Sequence, residues 1–433
     1  MQRLALNFIC KNEGHIVARM LESAKGITDL IVVNDTGSTD DTQQVIRNFG
    51  LKYNIPTYIY ERSFDNFGNS RNYALKKLRD TVDELHWDPE EVWGFWADCD
   101  EVLLVGAAFR KELIDKDFYN VMGEFDHSPF SRGSFFRLSK DFFWNGPVHE
   151  AIMWRKDDPI TLGSLPGIFI KSDKTGHSWK GDIEAKYIRY AKMLEGFSEQ
   201  DEHYGRWIFY SAQNYYTAAT HSSNEFSKVN CLKNALRYYE KRANLAPSSL
   251  NNIVEREEQA YAQQQIGTVL EELHYPWPKV QEALIKSHML DPLRGEPIMQ
   301  ILQHYMATKE WSEGYKLSLF AVNEFHGKSP LGQRFIGIEP AIYNWQFLWA
   351  HYLMCFYARK NEEMLEAYRR IKTLINDHPE YFTEQDILLV RTHTRLVLSL
   401  NRGLQRLKDL VINAFNIFSS KGGQTPKAKG LII

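Results

Sequence analysis

Short apolar runs alternate with segments of helical spacing over the first hundred residues of this chain. Residues 4–9, 29–34 and 53–60 have the length and apolar content of strands, and residues 92–97 form a fourth apolar run. The segments between them place their apolar residues three and four positions apart, as an amphipathic helix does. This β-α-β-α-β order predicts a largely parallel sheet with helices on both faces. In such sheets ligands bind beyond the carboxyl ends of the strands.

The pattern changes twice further along the chain. Between Phe118 and Gly167, aromatic residues, Gly and Pro interrupt short alternating runs, which predicts a mixed β region that extends the sheet. Beyond about residue 200, helix pairs take over, and residues 235–247 and 283–292 resemble each other in the manner of tetratricopeptide repeats. With 433 residues, the chain is too long for one ordinary core. We expect an α/β domain over residues 1–200, a tetratricopeptide-like helical domain over residues 201–418 and a mobile tail over residues 419–433.

Composition argues against several classes of protein. A formal net charge of −3 gives no electrostatic reason to expect a nucleic-acid partner. The four cysteines are scattered and form no Cys-x-x-Cys pair, so neither a zinc knuckle nor a disulfide framework is indicated and a reducing compartment is favoured. No apolar stretch reaches the length of a membrane span. We therefore expect a soluble, cytoplasmic protein.

Two carboxylates follow the fourth apolar run. Asp98 and Asp100 are one residue apart, and residues i and i+2 of an extended chain point to the same face. A turn at the end of the strand can aim both at one divalent cation, and that cation can clamp the phosphates of a nucleotide. A solvated polar turn is the alternative interpretation. His177, in a Gly-His-Ser-Trp segment, is either a third metal ligand or an ordinary loop histidine.

Polar residues also follow the earlier strands. Asp35 comes at the end of the second strand, where its carboxylate can accept hydrogen bonds from a base or a ribose while Gly37 permits close approach of the backbone. Arg71 stands at the start of a predicted helix, where the macrodipole favours anions. A cation in that place indicates an anionic ligand such as a phosphate. The alternative is a surface arginine paired with Asp65 or with another carboxylate.

His149 and Glu150 are adjacent in a turn-rich aromatic segment. Because neighbouring side chains on a strand face opposite ways, only one of the two needs to point into a cleft. Glu150 can act as a general base that deprotonates an acceptor hydroxyl or thiol. His149 can instead line the diphosphate or the acceptor. Both are candidate catalytic residues.

Taken together, these elements resemble the inverting family 2 glycosyltransferases of the GT-A fold. Asn34 departs from that family, because many of its members have Asp at this position. The Val148-His149-Glu150 element, His177 and the helical second half are similar to the subgroup that contains a bacterial peptide S-glycosyltransferase. The remaining motifs fall in the family's order: Lys11-Asn12-Glu13, Asn34-Asp35, Ser70-Arg71-Asn72 and Asp98-Cys99-Asp100.

The resemblance implies a GT-A domain that transfers a sugar from a nucleotide-sugar, most often a UDP-sugar, with inversion and with Mn²⁺ or Mg²⁺. The Gln-x-x-Arg-Trp motif of processive synthases is absent, so non-processive transfer is expected. The acceptor stays open among glycans, proteins or peptides, lipid-linked sugars and modified bases. The resemblance implies donor binding by Asn12, Glu13, Asp35, Ser70, Arg71 and Asp98, and metal binding by Asp98, Asp100 and His177.

Two other functions remain open. A sugar nucleotidylyltransferase shares the α/β layout, although it normally has a Gly-rich loop after the first strand, where this chain has Lys11-Asn12-Glu13-Gly14. The chain could also be a catalytically inactive helical-repeat scaffold. Helical repeats present a concave surface that commonly binds peptides or a second subunit. We therefore expect the helical half to bind the acceptor or to form a homodimer.

Overall fold

A computed structural model describes residues 2–125, 128–155, 157–173, 175–249, 252–334, 336–399 and 402. The described residues form two compact units. The first contains the chain up to Asp291 together with Leu331–Ile338, and the second contains Pro292–Pro330 and the residues from Glu339 onward. The predicted tail over residues 419–433 lies outside the described residues.

The first unit is built on a mixed sheet. Its described strands are β1 (Arg3–Cys10), β2 (Leu30–Asp35), β3 (Thr57–Glu61), β4 (Val92–Phe95), β5 (Glu101–Val105), β6 (Phe118–Phe125), β7 (Ser128–Arg137), β8 (Phe142–Asn145), β9 (Ala151–Trp154) and β10 (Leu162–Ser172). In this part of the chain, eight strands form one sheet in the order β3-β2-β1-β4-β7-β6-β10-β5, and β8 pairs with β9 separately. The strands β3, β2, β1 and β4 are parallel, whereas β7 is antiparallel to both of its neighbours. The predicted parallel half and the mixed extension are both observed.

Three helices connect the parallel strands and cover the two faces of the sheet. They are α1 (Val17–Ala24), α2 (Thr42–Tyr53) and α3 (Phe67–Glu84). Alternation along β1 decides which face each side chain reaches. Leu6 and Phe8 lie in one core with Met20 of α1, whereas Ala5 lies in a second core with Leu78 of α3. This arrangement leaves the carboxyl ends of the parallel strands at one edge, where the loops to the helices begin.

Beyond β10, helices take over in the described chain. They are α4 (Ile183–Leu194), α5 (Tyr204–His221), α6 (Glu225–Asn244), α7 (Ile253–Glu272) and α8 (Trp277–Leu290) in the first unit, and α9 (Glu296–Thr308), α10 (Trp311–Phe325), α11 (Phe347–Tyr357) and α12 (Asn361–Asp377) in the second. A π-helical turn, Ile342–Gln346, precedes α11. The change from strands to helices therefore falls inside the first unit.

The predicted order, an α/β region followed by helices, is confirmed by this arrangement. That the helices form tetratricopeptide-like repeats stays a prediction. Among the described helices, none combines the length and the apolar character that crossing a membrane requires.

Candidate active site

The carboxyl ends of β1, β2 and β4 meet at one edge of the sheet, because these strands are parallel and β1 lies between the other two. Two loops are joined there by hydrogen bonds. The backbone N–H of Asn12 donates to Ser38 Oγ at 2.9 Å, and the backbone N–H of Thr39 donates to Asn12 Oδ1 at 2.8 Å. Asn12 has a φ of 57°, a left-handed conformation that Asn adopts more readily than most residues. Asn12, a predicted donor-binding residue, thus holds the loops after β1 and β2 together.

Asp35 is the last residue of β2 and is fully buried. Its Oδ1 accepts the backbone N–H groups of Gly37 at 2.9 Å and Ser38 at 2.7 Å. Gly37 has a φ of 110°, which glycine adopts without strain. The second oxygen, Oδ2, is buried and has no hydrogen-bond partner among the described residues. Because a buried acceptor without a partner is costly, Oδ2 is suited to accept a hydrogen bond from a ligand.

The helix α3 begins earlier than its sequence indicates. Asn66 caps it by accepting a backbone N–H of the first turn at 2.8 Å, and the helix starts at Phe67. Arg71 therefore lies in the second turn, so the macrodipole argument for an anion beside it does not hold. Ser70 is buried, and its carbonyl oxygen accepts from Asn34 Nδ2 at 3.2 Å. Ser70, another predicted donor-binding residue, thus joins α3 to the end of β2.

The guanidinium of Arg71 bridges two carboxylates. Its Nε donates to Glu150 Oε1 and its Nη2 donates to Asp98 Oδ1, both at 2.6 Å. The Arg71 side chain is only 7% exposed. Burial lowers the pKa of Arg71, but the charges of Asp98 and Glu150 outweigh burial and raise it. Arg71 is therefore paired with carboxylates, but it is a buried arginine rather than the surface arginine of the alternative interpretation, and its partners are Asp98 and Glu150 rather than Asp65.

A second ion pair supports the loop after β4. Arg132 donates from Nη1 and Nη2 to the two carboxylate oxygens of Glu101, at 2.8 Å and 2.5 Å. Glu101 Oε2 also accepts the backbone N–H of Asp98 at 2.9 Å. Although burial raises the pKa of Asp98, the charges of Arg71 and Arg132 lower it, and the net shift is downward. Asp98 is therefore held as a carboxylate by cations on both sides.

Sequence reasoning missed three residues of this network. Glu101 directly follows the Asp-x-Asp motif, and a third carboxylate in that run is a signal that could have identified it. Trp96 lies between two cations, with the guanidinium of Arg71 4.6 Å and that of Arg132 3.7 Å from its ring centroid. No sequence signal points to Arg132, because its partner is 31 residues away and the pairing depends on the sheet order.

Asp100 lies in the same loop, but its carboxylate forms no ion pair with a described cation. Burial, followed by the negative charges of Asp98 and Glu101, raises the pKa of Asp100 to about 7. The backbone of Gly176 packs against this carboxylate, since a Cβ added there would lie 2.9 Å from Asp100 Oδ2. The group is therefore a carboxylate in a negative environment, which a bound cation would neutralise.

The loop that carries His177 is hydrogen-bonded to Glu13. The backbone N–H of His177 lies 2.9 Å and 3.1 Å from the two carboxylate oxygens of Glu13. Burial raises the pKa of Glu13 although this hydrogen bond lowers it. The His177 residue is exposed and directly follows Gly176, the residue that packs against Asp100. Glu13 thus places His177 close to the predicted metal carboxylate.

Within the described residues, no three His, Cys, Asp or Glu side chains are grouped so that they could hold a metal ion. Mg²⁺ in nucleotide sites is commonly bound by one or two carboxylates, with the other positions filled by phosphate oxygens and water. The pair Asp98 and Asp100 provides such a donor set. The residues present therefore fit a cation that is bound together with a phosphorylated ligand.

His149 and Glu150 contact different neighbours, although they lie between β8 and β9 rather than on a strand. His149 Nε2 lies 2.9 Å from Asn214 Oδ1, and its ring stacks on Tyr210 of α5 at 4.2 Å. Burial lowers the pKa of His149 to about 4. Glu150 reaches Arg71 instead, and burial raises the pKa of Glu150 although the charge of Arg71 lowers it. The structure thus joins Glu150 to Asp98 through Arg71, and it directs His149 to α5.

Comparisons with known proteins match a segment that carries part of this site. Residues 8–104 match the family model described as Glycosyl transferase family 2. An uncharacterised glycosyltransferase of Rickettsia typhi is 36% identical over 67 residues, which are 15% of this chain and 23% of that protein. An uncharacterised glycosyltransferase of Rickettsia conorii is 38% identical over 66 residues, which are 14% of this chain and 23% of that protein. The matched region thus spans less than a quarter of the length of these curated relatives.

Among solved structures, S. aureus TarS 1–349 aligns with 66% of this chain and 92% of that chain, at 11% identity and a TM-score of 0.30. The structure of TarS 1–349 in complex with UDP aligns with 69% of this chain and 92% of that chain, at 11% identity and a TM-score of 0.28. These TM-scores are too low to establish a shared fold. The likeness to glycosyl transferase family 2 therefore rests on the sequence match over residues 8–104, which include Asn12, Asp35, Arg71, Asp98 and Asp100.

Proposed function

We propose that the chain transfers a sugar from a nucleotide-sugar, with UDP as the expected nucleotide, to an acceptor with inversion and without processivity. The observation that carries this proposal is the Arg71 bridge between Asp98 and Glu150, at the carboxyl ends of the parallel strands of a family 2 domain. The bridge joins a carboxylate of the predicted donor site to a carboxylate suited to proton transfer. A sugar transferase requires both within one site.

Asp35 and Asp98 are proposed to bind the nucleoside. Asp35 Oδ2 is a buried acceptor without a described partner, and it can accept from an N–H of the base. Asp98 engages Arg71 through Oδ1 while 39% of its side chain is exposed, so its other oxygen can accept from a ribose hydroxyl. Asn12, Glu13 and Ser70 maintain the loops around these two carboxylates.

The proposed cation, Mn²⁺ or Mg²⁺, is bound by Asp100 and Asp98, with His177 as the third candidate ligand. When bound, such a cation neutralises the charge that develops on the diphosphate leaving group. Burial, together with the negative charges of Asp98 and Glu101, raises the pKa of Asp100, and those charges support this assignment. The exposed position of His177 beside Gly176 leaves its ring accessible to a ligand.

Glu150 is proposed as the general base. It takes the proton of the acceptor hydroxyl or thiol, the acceptor atom attacks the anomeric carbon, and the bond to the diphosphate oxygen breaks with its electron pair on the leaving group. Arg71 donates to Oε1 of Glu150, and among the described residues it is the only cation paired with this carboxylate. Burial raises the pKa of Glu150, which makes it a stronger base than an exposed carboxylate. His149, also a catalytic candidate from the sequence, is better placed to position the Glu150 segment against α5.

The test is release of the nucleoside diphosphate from a panel of nucleotide-sugars, measured by chromatography with Mn²⁺ and with EDTA. We expect cation-dependent release from at least one donor. Release of a nucleoside monophosphate and a sugar phosphate would indicate chemistry at the phosphates and favour the nucleotidylyltransferase alternative. If no donor is cleaved or bound, the inactive-scaffold alternative is correct.

The helical part of the chain is proposed to bind a glycan or peptide acceptor or to form a homodimer. Light scattering of the full chain over a range of concentrations separates these roles. A mass that stays at one chain would exclude the homodimer and favour acceptor binding. The expected cytoplasmic location is tested by fractionation of cells.

A further inference from the structure

Lys186 of α4 lies in a partly buried position near the predicted metal carboxylate. Its Nζ donates to the carbonyl oxygen of Ser178 at 3.0 Å. The segment from Gly176 to Ser178 therefore contacts Asp100 at one end and Lys186 at the other. The charge of Asp100 also acts on Lys186 and raises its pKa, against a larger lowering by burial.

Three aromatic rings surround this ammonium at contact distance. Nζ lies 4.1 Å from the ring centroid of Trp179, 5.1 Å from that of Tyr187 and 5.8 Å from that of Tyr190. Among the described residues, no carboxylate forms an ion pair with it. Burial lowers the pKa of Lys186 to about 8, a value that still leaves it mostly charged at neutral pH. A partly buried cation without a counter-ion is costly, and an anionic ligand would remove that cost.

We propose that Lys186 binds the diphosphate of the nucleotide-sugar. This inference rests on the proposed function. Lysine is a common phosphate-binding residue, since its ammonium acts as a point charge with several donors. As the glycosidic bond to the diphosphate breaks, the electron pair moves to a phosphate oxygen. Lys186 stabilises the negative charge there and transfers no proton.

The experiment measures binding of UDP and of uridine to the full chain by calorimetry in the presence of Mn²⁺. In Lys186→Met, which keeps the length of the side chain and removes its charge, we expect UDP to bind roughly ten- to a hundredfold more weakly. Uridine should bind as it does to the unaltered protein, because it carries no phosphate. Lys192→Met, an exposed lysine of the same helix, is the matched control and should bind both ligands normally.

The outcomes distinguish this inference from the function on which it rests. If the unaltered protein binds UDP and Lys186→Met binds it equally well, Lys186 has no contact with the diphosphate and the inference is wrong, while the proposed function stands. Equal weakening of UDP and uridine would mean that Lys186 only supports the fold, which also overturns it. If the unaltered protein binds neither UDP nor another nucleoside diphosphate, the proposed function fails first. If Lys186→Met does not fold, Lys186→Arg and Lys186→Gln replace it. We expect Lys186→Arg to retain UDP binding and Lys186→Gln to lose it. Equal binding of UDP by these two variants would overturn the inference.

Discussion

Arg71 donates from Nε to Oε1 of Glu150 at 2.6 Å, and the two side chains are only 7% and 11% exposed. This buried ion pair connects α3 to the segment between β8 and β9. Through its Nη2, the same guanidinium binds Asp98 in the loop after β4. The position of the proposed base is therefore coupled to the position of the proposed donor site.

Replacement of Arg71 by Met should destabilise the protein strongly. It leaves Glu150 buried without a counter-ion, and loss of one partner of a buried pair costs about 3–5 kcal/mol. Arg62→Met, which removes an exposed pair with Asp65 at 41% and 40% exposure, is the control and should cost about 1 kcal/mol or less. Urea denaturation measures both free energies of unfolding. Equal losses in the two variants would contradict the importance of the Arg71 bridge.

The Glu150→Gln variant should lose turnover while it retains donor binding. A glutamine has nearly the same shape and can still accept from Arg71, but it cannot take a proton, so turnover should fall roughly 10²- to 10⁴-fold. Glu84→Gln, in an exposed position at the end of α3, serves as the control. Steady-state cleavage of the donor and calorimetry of UDP separate the two effects. Turnover within twofold of the unaltered protein would eliminate Glu150 as the base.

The carboxylate of Asp100 should make stability depend on pH in cation-free buffer. In an unfolded chain an aspartate loses its proton near about pH 4, whereas Asp100 in the folded protein has a pKa of about 7. Between these values unfolding releases a proton from Asp100. Its contribution to the free energy of unfolding therefore falls as the pH rises from about 4 to about 7, and does not change further above that.

The Asp100→Asn variant should consequently be more stable than the unaltered protein at about pH 8 and no more stable at about pH 4. Asp83→Asn, on the exposed face of α3, controls for the loss of one negative charge. Thermal unfolding at the two pH values measures the difference. If the difference in stability between Asp100→Asn and the unaltered protein is the same at both pH values, the Asp100 carboxylate does not titrate as described.

Arg132 is expected to position Asp98 of the donor site through Glu101. In Arg132→Met, Glu101 would remain 2% exposed without its counter-ion, and the backbone of Asp98 would lose a fixed acceptor. We expect a loss of about 3–5 kcal/mol in stability and weaker UDP binding. Arg155→Met removes an arginine from an exposed pair and should change neither quantity. Normal UDP binding by a folded Arg132→Met would show that the Glu101 pair does not position Asp98.

His149 should matter for stability more than for turnover. His149→Asn keeps a residue that tolerates the φ of 52° and removes the ring that stacks on Tyr210. We expect about 1–3 kcal/mol of destabilisation and turnover within a fewfold of normal. Turnover of His149→Asn and of the unaltered protein is compared at a temperature where the variant is fully folded. A loss of turnover as large as that expected for Glu150→Gln would instead establish His149 as a catalytic residue.

The sequence predicted the parallel strands and the polar residues at their carboxyl ends, because both depend on local periodicity. Asp35 is an example, since helix capping does not explain a carboxylate that ends an apolar strand and precedes the helix cap. Contacts between distant segments were not predictable in this way. Arg71 and Glu150 are 79 residues apart, and their pairing depends on how the β8–β9 pair lies over α3.

The first residue of α3 was also not predictable from the sequence. Asn66, Asn69 and Ser70 can all cap a helix, and only a cap at Asn69 or Ser70 would place Arg71 in the first turn. In the structure Asn66 is the cap, so Arg71 lies in the second turn. The helix macrodipole therefore no longer indicates an anion beside Arg71. Arg71 thus belongs to the predicted site through its ion pairs with Glu150 and Asp98.

The central claim is that Asp98 and Asp100 belong to a cation-dependent site for a nucleoside diphosphate. Calorimetric titration of UDP into the full chain, with Mn²⁺ and with EDTA, tests it most directly. We predict binding with Mn²⁺ that weakens at least tenfold in EDTA, and an Asp100→Asn variant whose weak binding does not respond to Mn²⁺. Absence of UDP binding under both conditions, or full cation dependence in Asp100→Asn, would contradict the account.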